Sequence, residues 1–114
     1  MSRDLKERTK TFALRIIRLY SALPETTVAQ VLGKQILRSG TSVGAHYREA
    51  SRARSTAEFV SKLNGGLQEL EETAYWLELL VGADVLDADR VRSLTQEVDE
   101  LTAILVTLIK KAKK

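Results

Sequence analysis

The chain has 114 residues, 44% of them hydrophobic and 29% charged, with one proline and no cysteine; that is the composition of one globular domain and excludes a disulfide scaffold, a cysteine-ligated zinc finger and low-complexity disorder. A formal net charge of +3 conceals a polarity, because residues 1–54 carry eleven Lys/Arg against four Asp/Glu, residues 55–109 carry three against eleven, and residues 110–114 add four Lys. Such a polarity suits a basic surface for a polyanion such as nucleic acid, or complementary faces that meet within and between subunits.

Arg15 and Arg18 interrupt the apolar run from Phe12 to Leu23, so neither a signal peptide nor a membrane span fits, and a cytoplasmic home is expected. Leu5, Phe12, Ile16, Leu19, Tyr20 and Leu23 recur at helical spacing and predict a first helix from about residue 3 to 22, ending before Pro24. Val28, Leu32, Ile36, Ser39, Val43, Tyr47 and Ala50 predict a second helix from about residue 26 to 53. Gly33, Gly40 and Gly44 lower helix propensity in this segment by about 1 kcal/mol each relative to Ala. Tertiary packing must offset that cost.

Ser55 followed by Glu58 is a capping box opening a third helix from about residue 56 to 81, with a stripe of Phe59, Leu63, Gly66, Leu67, Leu70, Ala74, Leu77 and Val81. Gly82 suits a left-handed residue at its end. Asp87 can cap a fourth helix, from about residue 88 to 112, carrying Val91, Leu94, Val98, Leu101, Leu105 and Leu108. Its acidic start and its end at Lys110, Lys111, Lys113 and Lys114 match the helix dipole. Short connections make consecutive helices antiparallel, so the expected fold is an all-α, up-down-up-down four-helix bundle. Gly40 and Gly44, with Gly65 and Gly66 of the third helix, read as close-approach positions, since no strand precedes them as a phosphate loop requires. A bundle this small buries only about two thirds of its unfolded surface, so self-association would add stability.

At 100° per residue, Lys34, Arg38, Arg48 and Arg52 fall within an arc of about 80° opposite the apolar stripe of the second helix. Arg48 and Arg52 stand one turn apart, a spacing suited to adjacent phosphates. Arg15, Arg18, Arg54 and the lysine-rich tail extend this ridge in the nucleic-acid reading, whereas solubility and pairing to the acidic third helix explain it otherwise. Trp76, Leu79 and Tyr75 project away from the stripe of the third helix, and Leu14 and Ile17 from that of the first. These five are candidates for a subunit interface, with Trp76 as anchor.

Catalytic and metal chemistry find no support. His46 is the only histidine and cannot supply the paired Glu-x-x-His ligands of a di-iron bundle. Glu69, Glu71 and Glu72 read as solvated or paired charges, with Glu69 and Glu72 facing arginines of a neighbouring subunit. The expectation is a protein that is not an enzyme and holds no metal or cofactor.

The run Arg38-Ser39-Gly40-Thr41-Ser42-Val43-Gly44-Ala45, then Glu58-Phe59, Gly66-Leu67-Gln68-Glu69-Leu70 and Trp76-Leu77, resembles the bacterial S23, or 23S rRNA intervening-sequence, family over nearly the whole chain. His46 departs from the asparagine usual there. The resemblance implies an antiparallel bundle assembling into a homopentameric ring with no catalytic residues. It also implies kinship in fold with the accessory variability determinants of diversity-generating retroelements, which bind nucleic acid through basic surfaces and partner a reverse transcriptase. The resulting expectation is a non-enzymatic ring that binds structured RNA, or DNA, through phosphates; the alternative is an assembly scaffold with no nucleic-acid role.

Overall fold

The computed structural model describes residues 4–114, in which four helices follow one another: α1 (Asp4–Ser21), α2 (Thr27–Ser51), α3 (Thr56–Gly82) and α4 (Ala88–Ala112). There is no strand among the described residues. Residue 3, where the sequence placed the first helical position, lies outside them. The starts of α2 and α3 have local causes. The Thr26 hydroxyl accepts from the Ala29 amide at 3.2 Å and opens α2. The Ser55 hydroxyl accepts from the Glu58 amide at 3.0 Å. The Glu58 carboxylate accepts from the Arg54 amide at 3.0 Å, one residue before the amide of the expected capping box.

The end of α3 differs from the sequence expectation. Gly82 remains helical, and the left-handed residue is Asp84, with φ 61°. The Val85 amide then donates to the Leu80 carbonyl at 2.9 Å and the Asp84 amide to Val81 at 3.0 Å, a Schellman closure. Aspartate tolerates this region because its side chain is short and polar. Asp87 does stand at the N-cap of α4, but its side chain makes no cap bond.

The helices alternate in direction. Gly33, Gly40 and Gly44 of α2 lie against Tyr20, Ile16 and Thr9 of α1. Ser39, His46 and Glu49 of α2 meet Thr73, Glu69 and Lys62 of α3. In both series one number rises while the other falls, which is antiparallel packing. Gly66 of α3 meets Leu105 of α4. The bundle closes where Arg8 of α1 reaches Glu97 of α4 at 2.8 Å. It measures 46 × 21 × 20 Å. No described helix is long and apolar enough to cross a membrane.

Leu5, Phe12, Ile16, Ile36, Leu63, Leu70, Leu101 and Leu105 are fully buried, and burying each such side chain contributes about 1.5–3 kcal/mol. The expected stripes are largely buried, with departures at one end of α2, along α3 and at the end of α4. Val28 is 53% exposed, because Ala29 and Gly33 face inward at that end of α2. In α3 Thr73 and Leu80 are buried along with the expected Leu63, Gly66, Leu70 and Leu77, while Ala74 and Val81 are only half-buried. In α4 Ile109, not Leu108, is buried. The rotation of α3 has a polar signature: the buried hydroxyls of Ser39 and Thr73 bond at 2.8 Å, and Thr73 also donates to the Glu69 carbonyl at 2.8 Å. Satisfied in this way, hydroxyls can face a core without a desolvation penalty.

Candidate nucleic-acid interface

Lys34, Arg38 and Arg48 are exposed on α2, and Arg52 is exposed at its C-cap, facing away from the side that packs on α1 and α3. From residue 34 to 52 the ridge is about 27 Å long at 1.5 Å per residue. Its two ends differ. At the α2–α3 turn, Arg48, Arg52, Arg54 and Lys62 surround a depression of about 590 Å³, together with Ala45, Glu49 and Glu58. Four cations thus share one concavity with two carboxylates. One of these, Glu58, bonds the Arg54 amide, and the other, Glu49, lies 3.5 Å from Lys62.

Lys62 joins this group because a tight antiparallel turn puts the first turns of α3 beside the last turns of α2. Helical spacing on α2 does not group Lys62 with these arginines, and its place one turn after Glu58 is the signal in the sequence. Arg15 and Arg18 are not part of this surface. They sit on the flank of α1 opposite the one that meets α2, and they line a cleft towards α4. Arg15 donates to the Ser93 hydroxyl at 2.9 Å. The reason is helical phase: with Ile16 and Tyr20 turned to α2, positions 15 and 18 turn the other way.

The five candidate interface residues divide. Tyr75, Leu14 and Ile17 are exposed, at 52%, 40% and 41%. Trp76 and Leu79 are half-buried, and Trp76 packs against the core, because the rotated stripe of α3 brings position 76 towards α2. Its ring lies 5.3 Å from that of Tyr75. Val28 and Val31 are more than half exposed and belong with this group, although periodicity had assigned Val28 to the core.

His46 is wedged between α2 and α3. A Cβ at Gly65 would come within 2.8 Å of its ring, so the glycine makes room for the imidazole. Its Nε2 lies 3.6 Å from Glu69 and its Nδ1 3.6 Å from Glu49. Glu69 therefore faces a histidine of its own chain, where the sequence suggested an arginine of a neighbour. Among the described residues, no group of three His, Cys, Asp or Glu is placed to hold a metal ion.

Residues 3–107 match the family described as 23S rRNA-intervening sequence protein. A solved structure of a protein with unknown function from the S23 ribosomal protein family of Bacteroides thetaiotaomicron VPI-5482 is 42% identical, with a TM-score of 0.87. The similarity covers 93% of this chain and 98% of that one. No curated protein matches the chain.

Proposed function

The chain belongs to the 23S rRNA-intervening sequence protein family, and from that premise we propose that it is a non-enzymatic protein that binds nucleic acid electrostatically, structured RNA above all. The observation that carries this reading is the depression at the α2–α3 turn, where Arg48, Arg52, Arg54 and Lys62 outnumber Glu49 and Glu58. Guanidinium groups one turn apart suit successive phosphates, and Lys34 and Arg38 continue the contact along the helix. Phosphate contacts position without reading bases, so sequence preference is weak. A cytoplasmic site of action and a reverse transcriptase as protein partner belong to the same reading by analogy of fold.

Titration of a structured RNA hairpin over a salt series tests it. Four phosphate contacts predict a log–log slope of about −3 to −4, and the Arg48→Glu/Arg52→Glu variant should flatten that slope by roughly 2 and weaken binding at least about tenfold. Affinity that ignores salt, or that survives the double reversal, removes the reading.

The alternative, an assembly scaffold, is favoured by the exposed apolar side chains. Leu14 and Ile17 lie on α1, while Val28, Val31 and Tyr75 lie on α2 and α3. Contact between two unlike patches is heterologous and closes a ring when the rotation permits; a pentamer is the closure that family resemblance suggests. In this reading Arg48→Glu lowers the oligomer mass seen by light scattering, while RNA leaves the wild-type mass unchanged.

A further inference from the structure

Between the C-terminal half of α1 and the start of α4 lies a second cleft, of about 310 Å³. Its walls are apolar: Leu19 and Ala22 from α1, Leu86 from the α3–α4 connection, and Val91 and Leu94 from α4. Arg15, Arg18 and Arg90 stand around it, and among the described residues no carboxylate lines it. Three other cations of the molecule each have one nearby. Arg8 holds Glu97 and Glu100, Lys62 is near Glu49, and Arg92 pairs with Asp89. Asp87 and Asp89, at the start of the same helix, lie outside the lining, and Asp89 is the one engaged by Arg92. A larger groove between α3 and α4 differs in this respect, since Glu78 and Asp99 flank Arg92 there and leave no net attraction for an anion.

We propose that this cleft binds a small anionic amphiphile, a molecule with one carboxylate or phosphate group on a short apolar body. Three arginines line one cleft with no carboxylate among its described lining residues, and an anion there can accept charge-assisted, bidentate hydrogen bonds from them. Arg15 already donates to Ser93, whereas Arg18 and Arg90 have no side-chain partner among the described residues. The start of α4 adds the positive end of its dipole on the same side. The apolar walls require more than an inorganic ion, since Val91 and Leu94 form a floor that gains only from contact with hydrocarbon. The volume lies at the small end of ligand clefts, which limits the body to a short chain or a single ring.

Calorimetric titration of the wild-type protein with octyl phosphate and with octanoate tests the proposal, with octanol and inorganic phosphate as the probes lacking charge or hydrocarbon. Saturable binding of at least one amphiphile below about 1 mM is expected, with both partial probes at least about tenfold weaker. Arg18→Ala/Arg90→Ala should weaken the amphiphile at least about tenfold while circular dichroism and oligomer mass stay unchanged. Absence of binding by both amphiphiles, or binding indifferent to the double variant, overturns the proposal. So does a change in oligomer mass in that variant without amphiphile binding by the wild type, which would assign the cleft to a second copy. Loss of RNA affinity in that variant without amphiphile binding would assign it to nucleic acid. Because the RNA reading rests on α2, its own test with Arg48 and Arg52 succeeds or fails separately.

Discussion

Along one flank of α1, glycines of α2 admit its side chains so closely that a Cβ at Gly40 would come within 2.6 Å of Ile16 and one at Gly44 within 3.0 Å of the Thr9 hydroxyl. Along the other flank, α4 is reached through long polar side chains: Arg8 to Glu97 at 2.8 Å and to Glu100 at 2.5 Å, and Arg15 to Ser93 at 2.9 Å. Where those bridges stop, the arginine-lined cleft begins. One helix is thus held by two kinds of contact. Close backbone approach maximises dispersion contact but leaves no room for a side chain on the partner. Wider separation can be spanned by ion pairs and leaves a space that a ligand can enter.

The largest effect is expected on the glycine flank. Gly40→Ala must push Ile16, a fully buried branched side chain, and should lose about 2 kcal/mol in denaturant unfolding despite the better helix propensity of alanine. Adding Ile16→Val should recover part of that loss, because the two changes share one contact. If Gly40→Ala were neutral, the close approach would be incidental.

The next effect belongs to the ion-pair flank. Arg8 and Glu97 are partly shielded, at 33% and 17% side-chain exposure, so Arg8→Met should cost about 1–1.5 kcal/mol, between the limits for exposed and buried pairs. The hydrogen bond to Glu97 raises the Arg8 pKa above its already high ordinary value, with burial opposing and Glu100 adding to the rise. A raised pKa gives stabilisation that is complete below the unfolded value and lost only above the folded one. Loss of this pair through arginine deprotonation should therefore not appear in an alkaline titration of stability, and Arg8→Met should lower the wild-type curve by a constant amount there.

A smaller effect of opposite sign separates packing glycines from permissive ones. Nothing lies within 4 Å of a Cβ built on Gly82, which is helical, so Gly82→Ala should gain about 0.5 kcal/mol through the unfolded state and helix propensity. The least effect is expected at the cleft rim, where Arg90→Ala should stay within about 0.5 kcal/mol of wild type, since the exposed side chain holds no partner among the described residues.

Much of the architecture was legible because helical signals are local. The spacing of Phe12, Ile16 and Leu23 and of Leu94, Val98, Leu101 and Leu105 marks inward faces that are buried in the fold, and Ser55 caps as its hydroxyl predicts. The glycines on α2 were readable as packing positions because their cost in helix propensity needs a tertiary reason. Much of the candidate site was less legible. That Lys62 joins Arg48 and Arg52, or that Arg15 and Arg18 turn to α4 and share a cleft with Arg90, depends on the rotation of each helix about its own axis. A stripe three residues wide leaves that rotation uncertain by tens of degrees.

The sequence by itself determined four helices, most of their ends and an antiparallel order, because periodicity, capping and short connections act over a few residues at a time. Tertiary structure alone decided the phase of each helix: Thr73 and Leu80 inward, Trp76 half-covered, Val28 outward, and Asp84 rather than Gly82 in the left-handed turn. Those outcomes follow from how three neighbouring helices compete for one core, and the competition is settled by shape and hydrogen-bond satisfaction across the bundle. The separation of the basic surface of α2 from the arginine cleft beside α4 is a product of that same phase.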